Sequence, residues 1–283
     1  MENYSQIIIK RIYKYQIYVK ILSMKKRTSL TIFKSVIFAL FLREIQTRFG
    51  TKKLGYFWAI FDAMVMVLIF AGLKSAISDN AMPGLDFPVF LATGFLAFFL
   101  WRNIVSRSIG AFSANQSLFN YVQVKPIDTL ITRFLIEILV SSMATLVFLA
   151  LGLYLGFDVA VQNFSMVILA IVWLSLFGFA IGLFTAIVGT FYETFVKIIN
   201  IIMNPIMFVS ALMYTVDSLP PMLRKIVLYN PLVHFIEMIH GNYFSVLNTQ
   251  YVDYLYMFYW TFIPLFLGLY FYSKAEKKII SSR

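Results

Sequence analysis

Three ionisable side chains interrupt otherwise apolar stretches of the sequence: Asp62, Arg102 and Glu137. A charge at membrane depth is costly, so each of these residues suggests a functional role. Counted by helical rise, Asp62 and Glu137 lie about 12 Å from one membrane surface, and Arg102 falls near the same level. The three residues are therefore predicted to form one charged layer. Two interpretations stay open: a buried ion pair that fixes helix register, or the lining of a conduit.

Further cations and aromatic rings lie near the predicted ends of apolar helices. The cations could attract an acidic polymer, or they could contact lipid phosphates. The rings could offer faces to sliding sugars, or they could form the anchoring belt usual at membrane interfaces. These candidates are Arg107, Arg133, Lys197, Trp58, Phe98, Phe99 and Trp101.

Two other patterns concern helix geometry. Proline at Asn204-Pro205 removes a helical hydrogen bond and predicts a kink, which could be part of a gate or could be static. Gly178, Gly182 and Ala186 repeat a small residue at every fourth position, the spacing that lets membrane helices approach closely.

The residues needed for catalysis are missing from the sequence. It has no cysteine and only two histidines, which leaves little for a metal centre. It has no G-x-x-x-x-G-K-[ST] run to cradle nucleotide phosphates. Only Asp128 and Glu193 lie in the predicted inner loops, too few for the metal ligands of a membrane transferase. The chain is therefore predicted to be no enzyme and to bind no cofactor, so any ATP must be bound by another chain.

The elements that position these residues are membrane helices. The chain is 60% hydrophobic and 13% charged, too little polar surface to cover a water-soluble globule. Apolar stretches near the roughly 20 residues needed to cross a bilayer recur along it. We therefore predict an all-α integral membrane protein with six transmembrane helices in one domain, residues 54–273. The predicted spans are residues 54–77, 88–110, 129–153, 164–188, 196–214 and 251–273.

The basic residues predict the orientation. Of the 24 lysines and arginines, all but Lys74, Arg224 and Lys225 fall on one side of the predicted spans. By the positive-inside rule both termini face the cytoplasm, including a tail over residues 274–283. The net charge of +11 then reflects membrane topology and not nucleic-acid binding.

Residues before the first span are predicted to lie outside the bilayer core. Residues 1–33 form a cytoplasmic extension, and Met24 could be the initiator in place of Met1. Residues 34–53 form an amphipathic interface helix, with a simple first span as the alternative. Its apolar face has Phe38, Phe41, Leu42, Ile45 and Phe49, and its polar face has Arg43, Glu44, Thr47 and Arg48.

The external segment between the last two spans, residues 217–250, is about half apolar. Asn230-Pro231 suits an N-cap followed by the first helical position. We therefore predict two short helices broken at Asn230, which re-enter the outer leaflet before the last span.

Several sequence segments, in order, resemble type 2 ABC exporter permeases, most closely those that export capsular polysaccharide from Gram-negative bacteria. The resemblance covers about residues 34–273. It rests on Arg43 to Phe49, Leu54 to Trp58, Gly84 to Leu91, Gly94, Asn120 to Pro126 with Arg133, Tyr229 to Leu232, and Glu237.

The resemblance implies partners and a transport cycle. Two copies would pair around a conduit in the bacterial inner membrane, and a homodimeric ATPase would bind their cytoplasmic face. ATP use would drive reorientation or processive threading of a lipid-linked acidic glycan. Periplasmic and outer-membrane export proteins would continue the path. The loop that docks on the ATPase would be about residues 111–124, with Ser113, Asn115, Gln116, Leu118, Phe119, Asn120 and Tyr121.

The chain departs from the family pattern at two positions. Asp62 is followed by Ala63 where the family often has proline, and His240 stands where it often has arginine. Three alternatives stay open: a permease for O-antigen, teichoic acid or another lipid-linked polymer, an integral-membrane transferase, and a passive channel.

Overall fold

The computed structural model describes residues 29–49, 61, 64–72 and 85–281. These residues form helices and connecting turns, with no strand among them. The helices are α1 (Ser29–Phe49), α2 (Phe87–Ile109), α3 (Pro126–Tyr154), α4 (Phe164–Phe191), α5 (Glu193–Met203), α6 (Pro221–Val227), α7 (Pro231–Tyr243) and α8 (Tyr254–Ser281), with helical residues also at 64–72.

Four of the described helices, α2, α3, α4 and α8, are long and apolar enough to cross a membrane. Together with the absence of strands from the described residues, they confirm the all-helical class. The first predicted span is described only at residues 61 and 64–72, so Trp58, Asp62 and Ala63 lie outside the described residues. Residues 1–28, including Met24, also lie outside them.

The centre of the bundle is the pair α2 and α4, whose contact is the most extensive in the fold. The small residues of α4 make this approach possible. A Cβ added to Gly182 would lie 2.6 Å from the Ser108 hydroxyl oxygen, and one added to Gly178 would touch Ile104 and Trp101 at 3.4 Å. The repeat of small residues therefore serves packing, as its spacing predicts.

The fifth predicted span differs most from the expectation. Helix α5 ends at Met203, and a separate one-turn helix, Pro205–Phe208, follows before the chain reverses direction. The predicted continuous helix over 196–214 is thus two pieces separated at Asn204, because the pyrrolidine nitrogen of Pro205 has no hydrogen to donate. Ala211, in the reversal, is fully buried and has a φ of 56°.

Two short helices follow the reversal and meet at Asn230, as the sequence predicts. The Asn230 side chain caps α7 by accepting a hydrogen bond from the backbone nitrogen of Leu232 at 3.1 Å. Every residue of α7 from Leu232 to His240 is buried, and the helix packs on α2, α4 and α8.

The aromatic contacts of α7 show how far it reaches along the bundle. The Phe235 ring stacks on Phe177 with centroids 5.0 Å apart and meets the edge of Trp173 at 6.0 Å. Trp173 is nine residues, or about 13 Å of helical rise, from the start of α4. Helix α7 thus packs among the long helices at least about two turns from the start of α4.

Candidate functional site

The loop between α2 and α3 contains two short helices, Ala111–Ala114 and Gln116–Asn120. Phe112 and Phe119 are buried against α3, α4 and α8 and anchor both turns. Side chains between and beyond these anchors point outward: Ser113 and Asn120 are exposed, and Tyr121 is 65% exposed. The next residue, Val122, is 99% exposed. A fixed loop with an apolar tip is suited to docking on another protein.

One predicted loop residue, Asn115, faces inward. It is buried, its amide nitrogen donates to the Ala111 carbonyl at 3.0 Å, and its oxygen accepts from the Arg43 guanidinium at 3.1 Å. The second bond crosses from the loop to α1. Asn115 therefore joins the loop to α1, and the exposed residues of the loop stay free of this contact.

The polar face of α1 also contacts α3. Arg48 donates to the Glu137 carboxylate and lies 3.3 Å from the Glu44 carboxylate, while the Arg133 Nε lies 3.1 Å from Glu44. All four side chains are 15% exposed or less. Because a partly buried charge without a partner is costly, this network stabilises α1 against the inner half of α3.

One member of the predicted charged layer of Asp62, Arg102 and Glu137 takes part in this network, and the layer itself stays a prediction. Glu137 is engaged by Arg48, because α1 runs beside α3 and brings its cations to that depth. Arg102 is half-buried, with its guanidinium carbon 5.8 Å from the centre of the Phe99 ring. Asp62 lies outside the described residues, so its pairing with Arg102 stays a prediction.

The pairing of α1 with α3 was not predicted, although the spacing of charges in the sequence indicates it. Glu44 and Arg48 are four residues apart on α1, and Arg133 and Glu137 are four residues apart on α3, with the order of charges reversed. Such spacing places each pair on one face of its helix. Two faces of complementary sign can meet once the helices lie side by side.

The three candidate cations Arg107, Arg133 and Lys197 differ in their contacts. Arg133 also donates to the Arg107 backbone carbonyl at 2.6 Å, so its guanidinium is engaged within the chain. The side chains of Arg107 and Lys197 are exposed. Of the three candidates Arg107, Arg133 and Lys197, these two can meet lipid phosphates or a passing polymer in this conformation.

The candidate aromatic residues differ in their burial. Phe98 and Trp101 are buried in the core, where Trp101 stacks on Phe177 with centroids 6.0 Å apart. They have no face for a sugar in this conformation, because α4 and α7 cover them. Phe99 is only partly buried. Trp58 lies outside the described residues.

The break after α5 is on the surface of the single chain. Asn204 and Pro205 are exposed, as are the neighbouring Ile201 and Phe208. The turn that follows the one-turn helix Pro205–Phe208 is held by the residue that caps α7. The side-chain amide of Asn230 donates to the Val209 carbonyl at 3.2 Å and to the Ser210 hydroxyl at 2.9 Å. The break is therefore tied directly to the N-terminus of α7.

Helix α7 contains a carboxyl group, that of Glu237, whose unusual environment was not evident from the sequence. Glu237 is buried on α7 and accepts a hydrogen bond from the backbone nitrogen of Val216 at 3.1 Å. Burial raises the pKa of its carboxyl group to about 7, an effect that the hydrogen bond only partly offsets. Glu237 can therefore be neutral near physiological pH.

A charged group near the external surface is formed by Asp217, Arg224 and Tyr251. The Tyr251 hydroxyl donates to Asp217 at 2.7 Å and accepts from Arg224 at 2.6 Å. The Arg224 guanidinium also lies 4.8 Å from the centre of the Tyr251 ring. These contacts connect the start of α6 to the segment just before α8. Among the described residues no group of three or more potential metal ligands is present.

Comparison with known proteins places these features in a family. The pattern of the ABC-2 type transporter family matches residues 35–244. The chain is 36% identical to the polysialic acid transport protein KpsM of Escherichia coli over 256 residues, which is 90% of this chain and 99% of that protein.

Two further groups of relatives are similar over most of their length. The capsule polysaccharide export inner-membrane protein BexB of Haemophilus influenzae is 31% identical over 219 residues, 77% of this chain and 83% of that protein. The capsule polysaccharide export inner-membrane protein CtrC of Neisseria meningitidis serogroup A is 31% identical over 252 residues, 89% and 95% of the two chains.

Proposed function

Because the chain belongs to the ABC-2 type transporter family, we propose that it is the inner-membrane permease of an ATP-driven exporter of capsular polysaccharide. The observation that carries the proposal is the similarity to three capsule or polysialic acid transport proteins over 83–99% of their lengths. The chain is a transport subunit and not an enzyme. ATP and Mg are bound by a separate ATPase chain.

The proposed topology has six crossings with both termini in the cytoplasm. Four crossings are α2, α3, α4 and α8. The fifth combines α5 with the one-turn helix Pro205–Phe208, which together rise about 24 Å, and the first includes the helical residues 64–72. The burial of α7 among the long helices supports its re-entry from the external side.

The loop over residues 111–124 is the proposed docking site for the ATPase. The exposed residues Ser113, Asn120 and Tyr121 form the contact with the partly buried Gln116 and Leu118, while Asn115 and Phe119 hold the loop in place. Movement of the loop reaches α1 through Arg43 and Asn115. It then reaches α3 through the ion pairs of Glu44 and Arg48 with Arg133 and Glu137.

Two copies of the chain frame the conduit in this proposal. Asp62, Arg102, Trp58, Phe99, Arg107 and Lys197 are the candidate lining residues, and Arg133 and Glu137 act by positioning α1. The break at Asn204 and Pro205 is the candidate gate, since it is exposed and tied to α7 through Asn230. The substrate is a lipid-linked acidic glycan, which moves by reorientation or by processive threading.

Deleting the gene and locating the glycan tests the proposal. The polymer should still be made but should stay in the cytoplasm, and the complete chain supplied in trans should return it to the surface. Surface staining and glycan extracted from spheroplasts measure the two pools. Loss of synthesis, or an unchanged surface capsule, would contradict the proposal. Co-purification of an ATPase with the chain distinguishes the exporter from a passive channel.

A further inference from the structure

An apolar cavity of about 730 Å³ lies between α2, α3, α4 and the helical residues 64–72. Its lining residues on α2 belong to the external half of that helix, and those on α3 begin fifteen residues from its inner end. By helical rise the lowest of these α3 residues is about 22 Å from the inner end of α3. The cavity therefore lies at the depth of the outer leaflet.

The lining has no property that would hold water. Its residues include no Asp, Glu, Lys or Arg. The hydroxyl groups of Thr93, Thr145 and Tyr243 each donate to a backbone carbonyl of the chain, at 2.9, 3.0 and 2.9 Å. Ser141 adds a fourth hydroxyl group to the lining. A buried water needs about two to four polar partners, so one further hydroxyl cannot hold it, and an apolar cavity of this kind stays dry and takes up apolar molecules. In a bilayer the available apolar molecule is a lipid acyl chain.

The external rim of the cavity carries negative charge. Asp158 lies between the lining residues Phe157 and Val159, and its backbone nitrogen donates to the Asp86 carboxylate at 2.6 Å. Asp158 is exposed and Asp86 is partly exposed. The sequence has no Lys or Arg in residues 75–101 or 134–196, which include the described parts of α2, α3 and α4 around the rim. Lys74, two residues after the lining residue Gly72, lies outside the described residues.

The rim thus selects among lipid head groups. The carboxylates of Asp86 and Asp158, on residues joined by a hydrogen bond, repel a head group with net negative charge and attract a cation. A primary ammonium can donate charge-assisted hydrogen bonds to both, whereas a quaternary ammonium has no hydrogen to donate.

We propose that this cavity binds one phosphatidylethanolamine of the outer leaflet, with an acyl chain between α2, α3 and α4 and the ammonium at Asp86 and Asp158. The bound lipid fills the gap between the helical residues 64–72 and the rest of the bundle. The proposal requires the membrane position of these helices and does not require the exported substrate to be capsular polysaccharide.

Native mass spectrometry of the full chain, purified in detergent, tests the proposal. The chain is titrated with phosphatidylethanolamine, phosphatidylcholine and phosphatidylglycerol that share the same acyl chains. One phosphatidylethanolamine should remain bound per chain, with an affinity at least about tenfold higher than that of phosphatidylglycerol. Equal retention of the three lipids, no retained lipid, or a glycolipid in place of phosphatidylethanolamine would overturn the proposal.

Two adjacent serines provide matched variants for the cavity. Ser141 lines it, whereas Ser142 is exposed on the other side of α3. Ser141→Phe should abolish lipid retention, and Ser142→Phe should leave it unchanged. Added phosphatidylethanolamine should raise the melting temperature of the wild-type chain and of Ser142→Phe only. Equal behaviour of the two variants would show that the lipid binds elsewhere.

The rim is tested separately, without a change in packing. Asp86→Asn combined with Asp158→Asn should keep acyl-chain binding but lose the preference for phosphatidylethanolamine over phosphatidylglycerol. Asp253→Asn, at the external start of α8, serves as the control and should keep the preference. A preference that survives in the double variant would overturn the head-group assignment even if Ser141→Phe cannot be purified in a folded form.

Discussion

Helices α1 and α7, which are not among the four that are long and apolar enough to cross a membrane, are attached to the bundle by opposite kinds of contact. On the inner side, α1 contacts α3 and the loop 111–124 through the charged and polar side chains of Arg43, Glu44 and Arg48. On the external side, α7 is held by apolar burial and ring stacking around Phe235. Ion pairs can exchange partners as a helix shifts, whereas a close-packed apolar contact resists displacement. We infer that α1 transmits movement and that α7 stays fixed.

Phe235→Ala should have the largest effect, because it removes the stacked ring that fixes α7. Truncating a buried phenylalanine costs about 3–5 kcal/mol of stability. The expected result is a large drop in the melting temperature of the purified chain, measured by thermal unfolding. Phe266→Ala, at a residue that is 69% exposed on α8, is the control and should change little. Similar effects of the two variants would remove the distinction between the attachments.

Glu137→Ala should have the next largest effect, because it leaves Arg48 partly buried beside α3 with only Glu44 as a partner. Removing one partner of a buried pair costs about 3 kcal/mol or more. Export should fall along with stability, measured as surface glycan and melting temperature. Arg48→Ala combined with Glu137→Ala should cost less than the sum of the single variants, since neither charge is then unpaired. Glu193→Ala changes an exposed inner acid and is the control.

Asn115→Ala should separate movement from assembly. It removes the hydrogen bond to Arg43, worth about 1–2 kcal/mol, but leaves the exposed tip of the loop intact. The ATPase should still co-purify, while glycan export per ATP hydrolysed should fall. Gln123→Ala, at an exposed residue of the same loop, is the control and should leave this ratio unchanged. Loss of ATPase binding in Asn115→Ala would instead make this residue part of the docking surface.

The smallest effect concerns pH and the polar side of α7. The pKa of the Glu237 carboxyl group is about 7 in the folded chain and 4.5 in the unfolded chain. Between these two pH values Glu237 therefore holds a proton in the folded chain that it has released in the unfolded chain. Its contribution to stability is complete below pH 4.5 and is lost as the pH rises through about 7. Between pH 6 and pH 7 the loss is about 1 kcal/mol. The melting temperature should therefore fall over this range in the wild-type chain.

Glu237→Gln keeps the hydrogen-bond acceptor for Val216 and removes the titration. The fall in melting temperature between pH 6 and pH 7 should be smaller in this variant by the same amount. An identical pH dependence in both chains would show that Glu237 is ionised in the fold. Helix α7 would then, like α1, have an ionised side chain in its contact with the bundle.

Much of the fold could be predicted from the sequence, because hydrophobic length and charge distribution report directly on the membrane. The long helices and the cap at Asn230 follow from apolar stretches and from local turn chemistry. The division of the fifth predicted span at Asn204 was visible as a proline but was interpreted as a kink within one helix. Hydropathy alone does not show where a chain reverses direction after such a break.

The contacts between helices were harder to predict. Arg48 and Glu137 are 89 residues apart, and nothing in one sequence states that α1 lies beside α3. The burial of Phe98 and Trp101 depends on α7, whose insertion follows from packing and not from local pattern. Residues that act on the surface are easier to identify than those whose role depends on a neighbouring helix.

The exposed tip of the loop at Tyr121 and Val122 has a consequence for cells that make unequal amounts of the two subunits. A permease without its ATPase would present these apolar side chains to the cytosol, where they resemble a segment that has failed to fold. Such surfaces are recognised by chaperones and proteases. The same contact that couples the subunits would then mark surplus permease for removal and keep the two chains in balance.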